Sequence, residues 1–238
     1  MLILAFESSA KPASVAVFEQ TMRTTDSTYL QNGNLLGQSF QNNGFSHSRT
    51  LMSMAEDLLK NLGLKPSDIG LIAVANGPGS FTGVRIGVSA AKGLAWGLDI
   101  PICGVSTLEA MARQTRFEDV IICPVMDARR GQVYNALFQW CNTELIRICD
   151  DRAISIEDLN KELRSHSVPH ILVGDGVSVC KNHKDFSDSL AAPELMRYQT
   201  AFGVALASMH TDSIPAIELE PLYLRPSQAE REHGKKAK

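Results

Sequence analysis

Glu7-Ser8-Ser9 places a carboxylate and two hydroxyls at the end of an apolar run, and Asp127-Ala128-Arg129-Arg130-Gly131 places an acid and two guanidinium groups at the end of another. Between them lies Asn76-Gly77-Pro78-Gly79-Ser80-Phe81-Thr82-Gly83, the densest turn signal in the chain. Glycines ahead of a helix start can present backbone N–H groups to an anion. No Gly-Lys-Ser/Thr follows, however, and Gly77, Gly79 and Gly83 miss the dinucleotide spacing by one residue. The same residues also read as a strand, a tight turn and a thin helix that packs closely against a neighbour. Gly174-Asp175-Gly176 has the same two readings, a phosphate contact or a tight turn. His47 has no second ligand three or four residues away, so it reads as a hydrogen-bonding residue and not a metal ligand. Glu109 completes a Ser106-x-x-Glu109 capping box.

The elements that position these groups follow from patterning. Leu2–Phe6 and Ser14–Phe18 read as a strand pair with Glu7-Ser8-Ser9 at the bend, and Asn32-Gly33 turns the chain into a strand over Leu35–Phe40. Phe45–Leu62 reads as a helix with a stripe of Leu51, Met54, Ala55, Leu58, Leu59 and Leu62 and a stop at Gly63; Met52 lies off that stripe. Leu71–Ala75 is a buried strand. From about Gly83 to Trp96 a helix follows, capped by Ser80 or Thr82, with Arg85, Ser89, Lys92 and Trp96 on one face. Its glycines at 83, 87 and 93 each cost ~1 kcal/mol against alanine, which implies close packing. A strand over 101–105, a helix to Gln114, a strand over 120–126 and a strand from Gln132 to Trp140 come next. Helices are expected over Asp150–Leu163 and Gln199–His210, a short strand over 171–173, and a loop from Lys181 to Leu190. Strand, terminal acid, turn and strand occur twice, with Glu7 and Asp127 in matching places, so two similarly built halves are expected.

The chain has 238 residues, 44% hydrophobic and 21% charged, an ordinary globular balance. A net charge of −3 gives no overall drive toward nucleic acid, so an RNA contact needs a local patch or a partner. Five scattered cysteines with no C-x-x-C pair read as buried thiols of a reducing compartment. No run approaches a membrane span and no signal peptide pattern opens the chain, so a cytoplasmic protein is expected. The tail from Ser227 to Lys238 is charged and expected to be disordered.

Phe6-Glu7-Ser8-Ser9, the run Gly77–Gly87, Ala91-Lys92-Gly93-Leu94-Ala95, Val105–Glu109, Asp127–Gly131 and Tyr223-Leu224-Arg225 together resemble the TsaB (YeaZ) family. The resemblance covers nearly the whole chain to about Pro226. It implies an α/β actin/Hsp70/sugar-kinase-like (ASKHA) fold with two duplicated subdomains and mixed sheets. It divides the chain into residues 1–104, with the partner-binding helices, residues 105–226, whose last helix packs back on the first half, and the tail 227–238.

The resemblance further implies a non-catalytic subunit that dimerises with TsaD, the related enzyme that transfers threonylcarbamoyl to an adenosine beside the tRNA anticodon. TsaE, an ATPase, joins the pair, and a TsaC-type enzyme makes the donor; tRNA is met through the complex, and the chain alone forms a homodimer. TsaD-like sequences carry His-Met-Glu-Gly-His, where two histidines hold a metal. This chain has Thr107-Leu108-Glu109-Ala110-Met111 there, so both ligands are missing. On the two helices of the first half the resemblance assigns the interface to His47, Leu51, Met54, Leu58, Arg85, Ser89 and Lys92. It implies no cofactor required by this subunit and weak ATP or ADP binding at Glu7, Ser8, Ser9 and Asp127. Glu7 stands where aspartate is more usual, which moves the carboxylate about one methylene outward. The alternatives are an ASKHA-type ATPase or kinase that depends on Glu7 or Asp127, and a degenerate M22-type glycoprotease homologue.

Overall fold

The structure is a computed structural model that describes residues 1–21, 33–44, 46–186 and 189–225. Two five-stranded mixed sheets form the framework. The first contains β1 (Leu2–Glu7), β2 (Ala13–Gln20), β3 (Gly33–Gln41), β4 (Ile69–Gly77) and β5 (Ile102–Ser106), in the order β3-β2-β1-β4-β5. The second contains β6 (Ile121–Asp127), β7 (Gln132–Cys141), β8 (Glu144–Ser155), β9 (His170–Val173) and β10 (Leu190–Ala191), in the order β10-β9-β6-β7-β8. Each sheet starts with an antiparallel meander of three strands and then adds two parallel strands beside the first. The duplication expected from the matching acids is therefore a duplication of strand order and direction.

Helices cover the sheets. On the outer face of the first sheet lie α1 (His47–Asn61) and α2 (Phe81–Leu98), which also touch each other. The space between the sheets holds α3 (Thr107–Gln114), packed on the second sheet through Leu108, Met111 and Ala112, and the C-terminal helix α7 (Ala201–Ser208), packed on the first. On the far face of the second sheet lie α4 (Ile156–Ser165) and α5 (Val177–Lys181); the short α6 (Glu194–Arg197) precedes α7. The strands facing helices on both sides are continuous apolar runs, as Leu4, Phe6, Val15, Val17, Ile72 and Val74 show on one face and Ile3, Ala5, Ala16 and Ala73 on the other.

Several expectations are corrected. Residues 150–155 extend β8 instead of opening a helix, because the strand pairs with β7 down to Ser155; only then does Ser155 Oγ cap α4 by accepting the Asp158 N–H. The expected loop over Lys181–Leu190 begins with the end of α5 and contains a short 3-10 turn, Lys184–Phe186, that buries Phe186 in the core. Cys103, Cys123 and Cys180 are buried, but Cys149 is half-buried and Cys141 exposed. Phe45, Asn32, Pro226 and the tail 227–238 lie outside the described residues. Among the described residues no helix is long and apolar enough to cross a membrane.

Candidate functional site

The first strand of each sheet ends at its acid. Glu7 Oε1 accepts the Ser9 N–H at 2.6 Å, and Asp127 Oδ1 accepts the Arg129 N–H at 2.7 Å. The surroundings then diverge. The N-terminal turn of α2 lies on the Glu7-Ser8-Ser9 bend: Ser80 N–H donates to Ser9 O at 2.6 Å, and Ser8 Oγ donates to Gly83 O at 2.9 Å. A Cβ on Gly83 would overlap Ser8 O, and one on Gly87 would overlap Ser8 Oγ. The glycines thus serve close approach, the second of the two readings. Ser80 is the N-cap and its Oγ accepts the Gly83 N–H at 3.3 Å, so the first turn directs N–H groups to protein oxygens.

Glu7, Ser8 and Ser9 are consequently inaccessible to a nucleotide in this structure. Burial, eased by the Ser9 hydrogen bonds and augmented by the nearby Asp175, pushes the Glu7 carboxyl up to about 7. Its Oε2, Ser9 Oγ and Gln199 Oε1 are buried atoms without a hydrogen-bond partner. Asp175, in the Gly-Asp-Gly bend, accepts from Gln199 Nε2 at 2.8 Å, and burial raises its carboxyl as well. Asp127 is more open and pairs with Arg129 Nη1 at 3.0 Å.

The position of the motif at 107–111 is part of the core. Thr107 and Met111 are fully buried, Met111 packing with Leu108 and Met126. Glu109 is not a capping carboxylate: Ser106 Oγ accepts its backbone N–H, while its side chain takes Arg113 Nε and Arg147 Nη2, each at 2.8 Å. Arg147 also donates to Asp151 at 2.6 Å, and Ser106 Oγ donates to the same carboxylate. Burial alone would raise Glu109, and the two guanidinium groups reverse this and hold it below the usual range. Among the described residues no three His, Cys, Asp or Glu side chains are grouped to hold a metal ion.

The outer face of α1 and α2 carries exposed apolar side chains, Met52 among them. Leu51 and Met54 do not face out: they are buried against the first sheet because the stripe at helical spacing is the core stripe, and Leu58 is half-buried against the same cluster and Gly37. His47 Nε2 lies 3.2 Å from Lys11 O. On α2, Arg85 and Ser89 are exposed, as is Trp96, at 83%. Gly93 and Gly97 lie beside Trp96 on this face, and a Cβ on either would meet nothing within 4 Å. Arg85 stacks on Phe81, 3.8 Å from the ring centroid, and its Nε donates to Tyr223 Oη at 2.8 Å. Lys92 Nζ donates to Ile217 O and Leu219 O, so the C-terminal segment straps along α2. Trp96, Ile100, Ile214 and Ile217 line an open groove of about 450 Å³ at the end of the helix. Trp96 shares the spacing of Arg85, Ser89 and Lys92, which is the signal that places it; nothing in the sequence points to Ile217 or to Asp175 as a neighbour of Glu7.

Comparison with known proteins agrees with this framework. The family model described as "TsaD: tRNA N6-adenosine threonylcarbamoyltransferase" matches residues 43–209. The "tRNA threonylcarbamoyladenosine biosynthesis protein TsaB" of Bacillus subtilis (strain 168) is 38% identical over 182 residues, 76% of this chain and 74% of that protein. The protein of the same name from Haemophilus influenzae is 28% identical over 243 residues, 94% of each chain. The solved structure of YeaZ from Pseudomonas aeruginosa superposes with a TM-score of 0.76 at 23% identity, over 94% of this chain and 99% of that one. This last likeness carries the fold, an arrangement of two duplicated α/β halves. With more than a third of the residues identical over three quarters of the chain, the chain belongs to the TsaB (YeaZ) family.

Proposed function

We propose that this chain is a non-catalytic subunit in tRNA threonylcarbamoyladenosine biosynthesis. It pairs with a TsaD-type transferase and supports transfer of threonylcarbamoyl to the adenosine beside the anticodon of ANN-decoding tRNAs. The observation that carries the reading is Trp96, 83% exposed and flanked by Gly93 and Gly97, which pack against nothing inside the protein. A helix glycine costs ~1 kcal/mol, and an internal contact offsets this at Gly83 and Gly87 but not at these two. A thin helix face with an exposed aromatic suits a helix of another chain, and buried Trp and Arg anchors dominate such interfaces. The partner face therefore belongs to residues 1–104 and is made of the outward sides of α1 and α2, where Met52 and Trp96 take the place of the buried Leu51 and Met54 beside Arg85 and Ser89. Without a TsaD-type partner the same face pairs two copies of this chain.

Two features support the absence of catalysis. Thr107 and Met111 are packed in the core where the transferase-like motif would need metal-binding histidines. The Glu7-Ser8-Ser9 bend is closed by α2, which fits a subunit that requires no cofactor and binds ATP or ADP at most weakly. A TsaE-type ATPase and a TsaC-type enzyme complete the reaction.

Sedimentation of this chain mixed with the TsaD-type protein of its own organism tests the pairing. The expected result is a one-to-one complex that Trp96→Glu abolishes while the variant stays folded. A complex that forms unchanged with Trp96→Glu would contradict this placement of the face. An ATPase rate from the chain alone, lost in Asp127→Asn, would favour the kinase-type reading.

A further inference from the structure

The β6–β7 turn is the counterpart of the buried Glu7-Ser8-Ser9 bend, yet it is turned outward. Ser8 and Ser9 are closed under α2, whereas Arg129 is 85% exposed and Arg130 is exposed too. The turn is held in an unusual shape. Arg129, Arg130 and Gly131 have φ of 65°, 56° and 71°, three left-handed residues in succession. Residues with a Cβ avoid this region, and arginine offers no local hydrogen bond that would favour it.

The surrounding contacts over-determine the shape. Arg129 N–H donates to Asp127 Oδ1, Ala128 N–H to Gln132 O, Gln132 N–H to Arg129 O, and Ile156 N–H to Gly131 O. Arg225 Nη1 donates to Ala128 O at 2.8 Å, bringing a third guanidinium group to the same corner. Asp127 engages Arg129, but among the described residues Arg130 is in no ion pair. Beyond Arg225, outside the described residues, the sequence carries Arg231, Lys235, Lys236 and Lys238 together with Glu230 and Glu232. In a protein of net charge −3 the corner is a local basic patch of the kind an RNA contact requires.

We propose that the Arg129–Arg130 turn, with Arg225, is a phosphate-contacting corner for the RNA backbone, through which this subunit touches the tRNA held by its complex. The proposal rests on the scaffold reading for the identity of the RNA. Two guanidinium groups in a fixed turn and a third beside it suit successive phosphates, which position an RNA without reading its sequence.

The test uses the full chain, alone and with its TsaD-type partner, and a fluorescently labelled unmodified tRNA transcript followed by anisotropy across a salt titration. Arg130→Gly relieves the left-handed strain, so it folds, and it removes the charge. The expected result is a several-fold loss of tRNA affinity and a log–log salt slope smaller by about 1, with Arg130→Lys close to the parent. Unchanged affinity and slope in both Arg130→Gly and Arg130→Glu would overturn the proposal. So would competition by ATP that depends on Arg130, which would make the corner a nucleotide site. Sedimentation of the same samples reads partner pairing separately. Pairing retained with an unchanged slope overturns only the RNA contact. Loss of pairing in the parent overturns the scaffold reading, while the titration on the chain alone still decides the corner.

Discussion

Glu7 and Asp127 close the first strand of their sheets with the same hydrogen bond, each accepting the N–H two residues on, at 2.6 and 2.7 Å. The shared geometry is the mark of a duplicated unit, and the difference around it defines the molecule. Glu7 is sealed beneath α2 with one oxygen unpartnered, while Asp127 sits half-buried at the base of an arginine turn. One half has closed its bend and given the helix above it an outward face. The other has kept its bend open.

The sealed carboxyl makes stability depend on pH. The folded-state value of about 7 lies above the ordinary 4.5, so the contribution of Glu7 is fully present below about pH 4.5 and is lost as pH rises through about 7. The difference amounts to roughly 3 kcal/mol, to order of magnitude. Glu7→Gln keeps an acceptor for the Ser9 N–H and cannot ionise. Urea denaturation of parent and variant is expected to show the variant gaining on the parent between about pH 4.5 and about pH 7, with the difference level above that. A constant difference across that range would show that Glu7 does not titrate there.

The glycines of α2 predict effects of opposite sign. Gly83→Ala drives a methyl into Ser8 O, and because backbone cannot step aside cheaply the variant is expected to lose ~1–3 kcal/mol. Gly93→Ala meets open space and is expected to stabilise the isolated chain by ~1 kcal/mol. Thermal unfolding of the two variants decides this. In the complex the second gain should disappear or reverse, because the added methyl then faces the partner.

Trp96→Ala leaves the fold intact, since the side chain contributes almost nothing to the core. Its expected cost is ~2 kcal/mol or more in partner binding, about a thirtyfold rise in Kd by isothermal titration. Unchanged affinity would mean that this aromatic lies outside the interface.

Arg147 ties α3 to β8 by bridging Glu109 and Asp151 while stacking on Phe138, 4.6 Å from the ring centroid. Arg147→Met keeps much of the packing but leaves two partly buried carboxylates without this counter-ion. A loss of ~2 kcal/mol is expected by chemical denaturation. Because Glu109 is held low when paired, the stability from this network is present at neutral pH and fades as pH falls through the carboxylate range.

Much of the framework is legible in the residues. The strand runs of the first half, the caps at Ser80 and Ser106, and the matching acids rest on local chemistry, and each stands where the spacing puts it. The stripe on α1 is legible as apolar but not as inward. Periodicity marks a face without saying which side the sheet will cover, so Leu51 and Met54 read equally well as interface or core. Residues 150–155 read as a helix start because the edge position of β8 leaves a mixed polar pattern that local propensity does not separate from one. Asp175 meets Glu7 only through the packing of two halves, and no local pattern carries that contact.

The central claim is that this chain is required and does no chemistry itself. Reconstitution with the TsaD-, TsaE- and TsaC-type proteins of the same organism, ATP, threonine, bicarbonate and unmodified tRNA tests it, with the modified adenosine measured by nucleoside mass spectrometry. The account predicts product only when this chain is present, little product with Trp96→Glu, and full product with Asp127→Asn. Equal product without the chain, or loss of product in Asp127→Asn with partner binding intact, would contradict it.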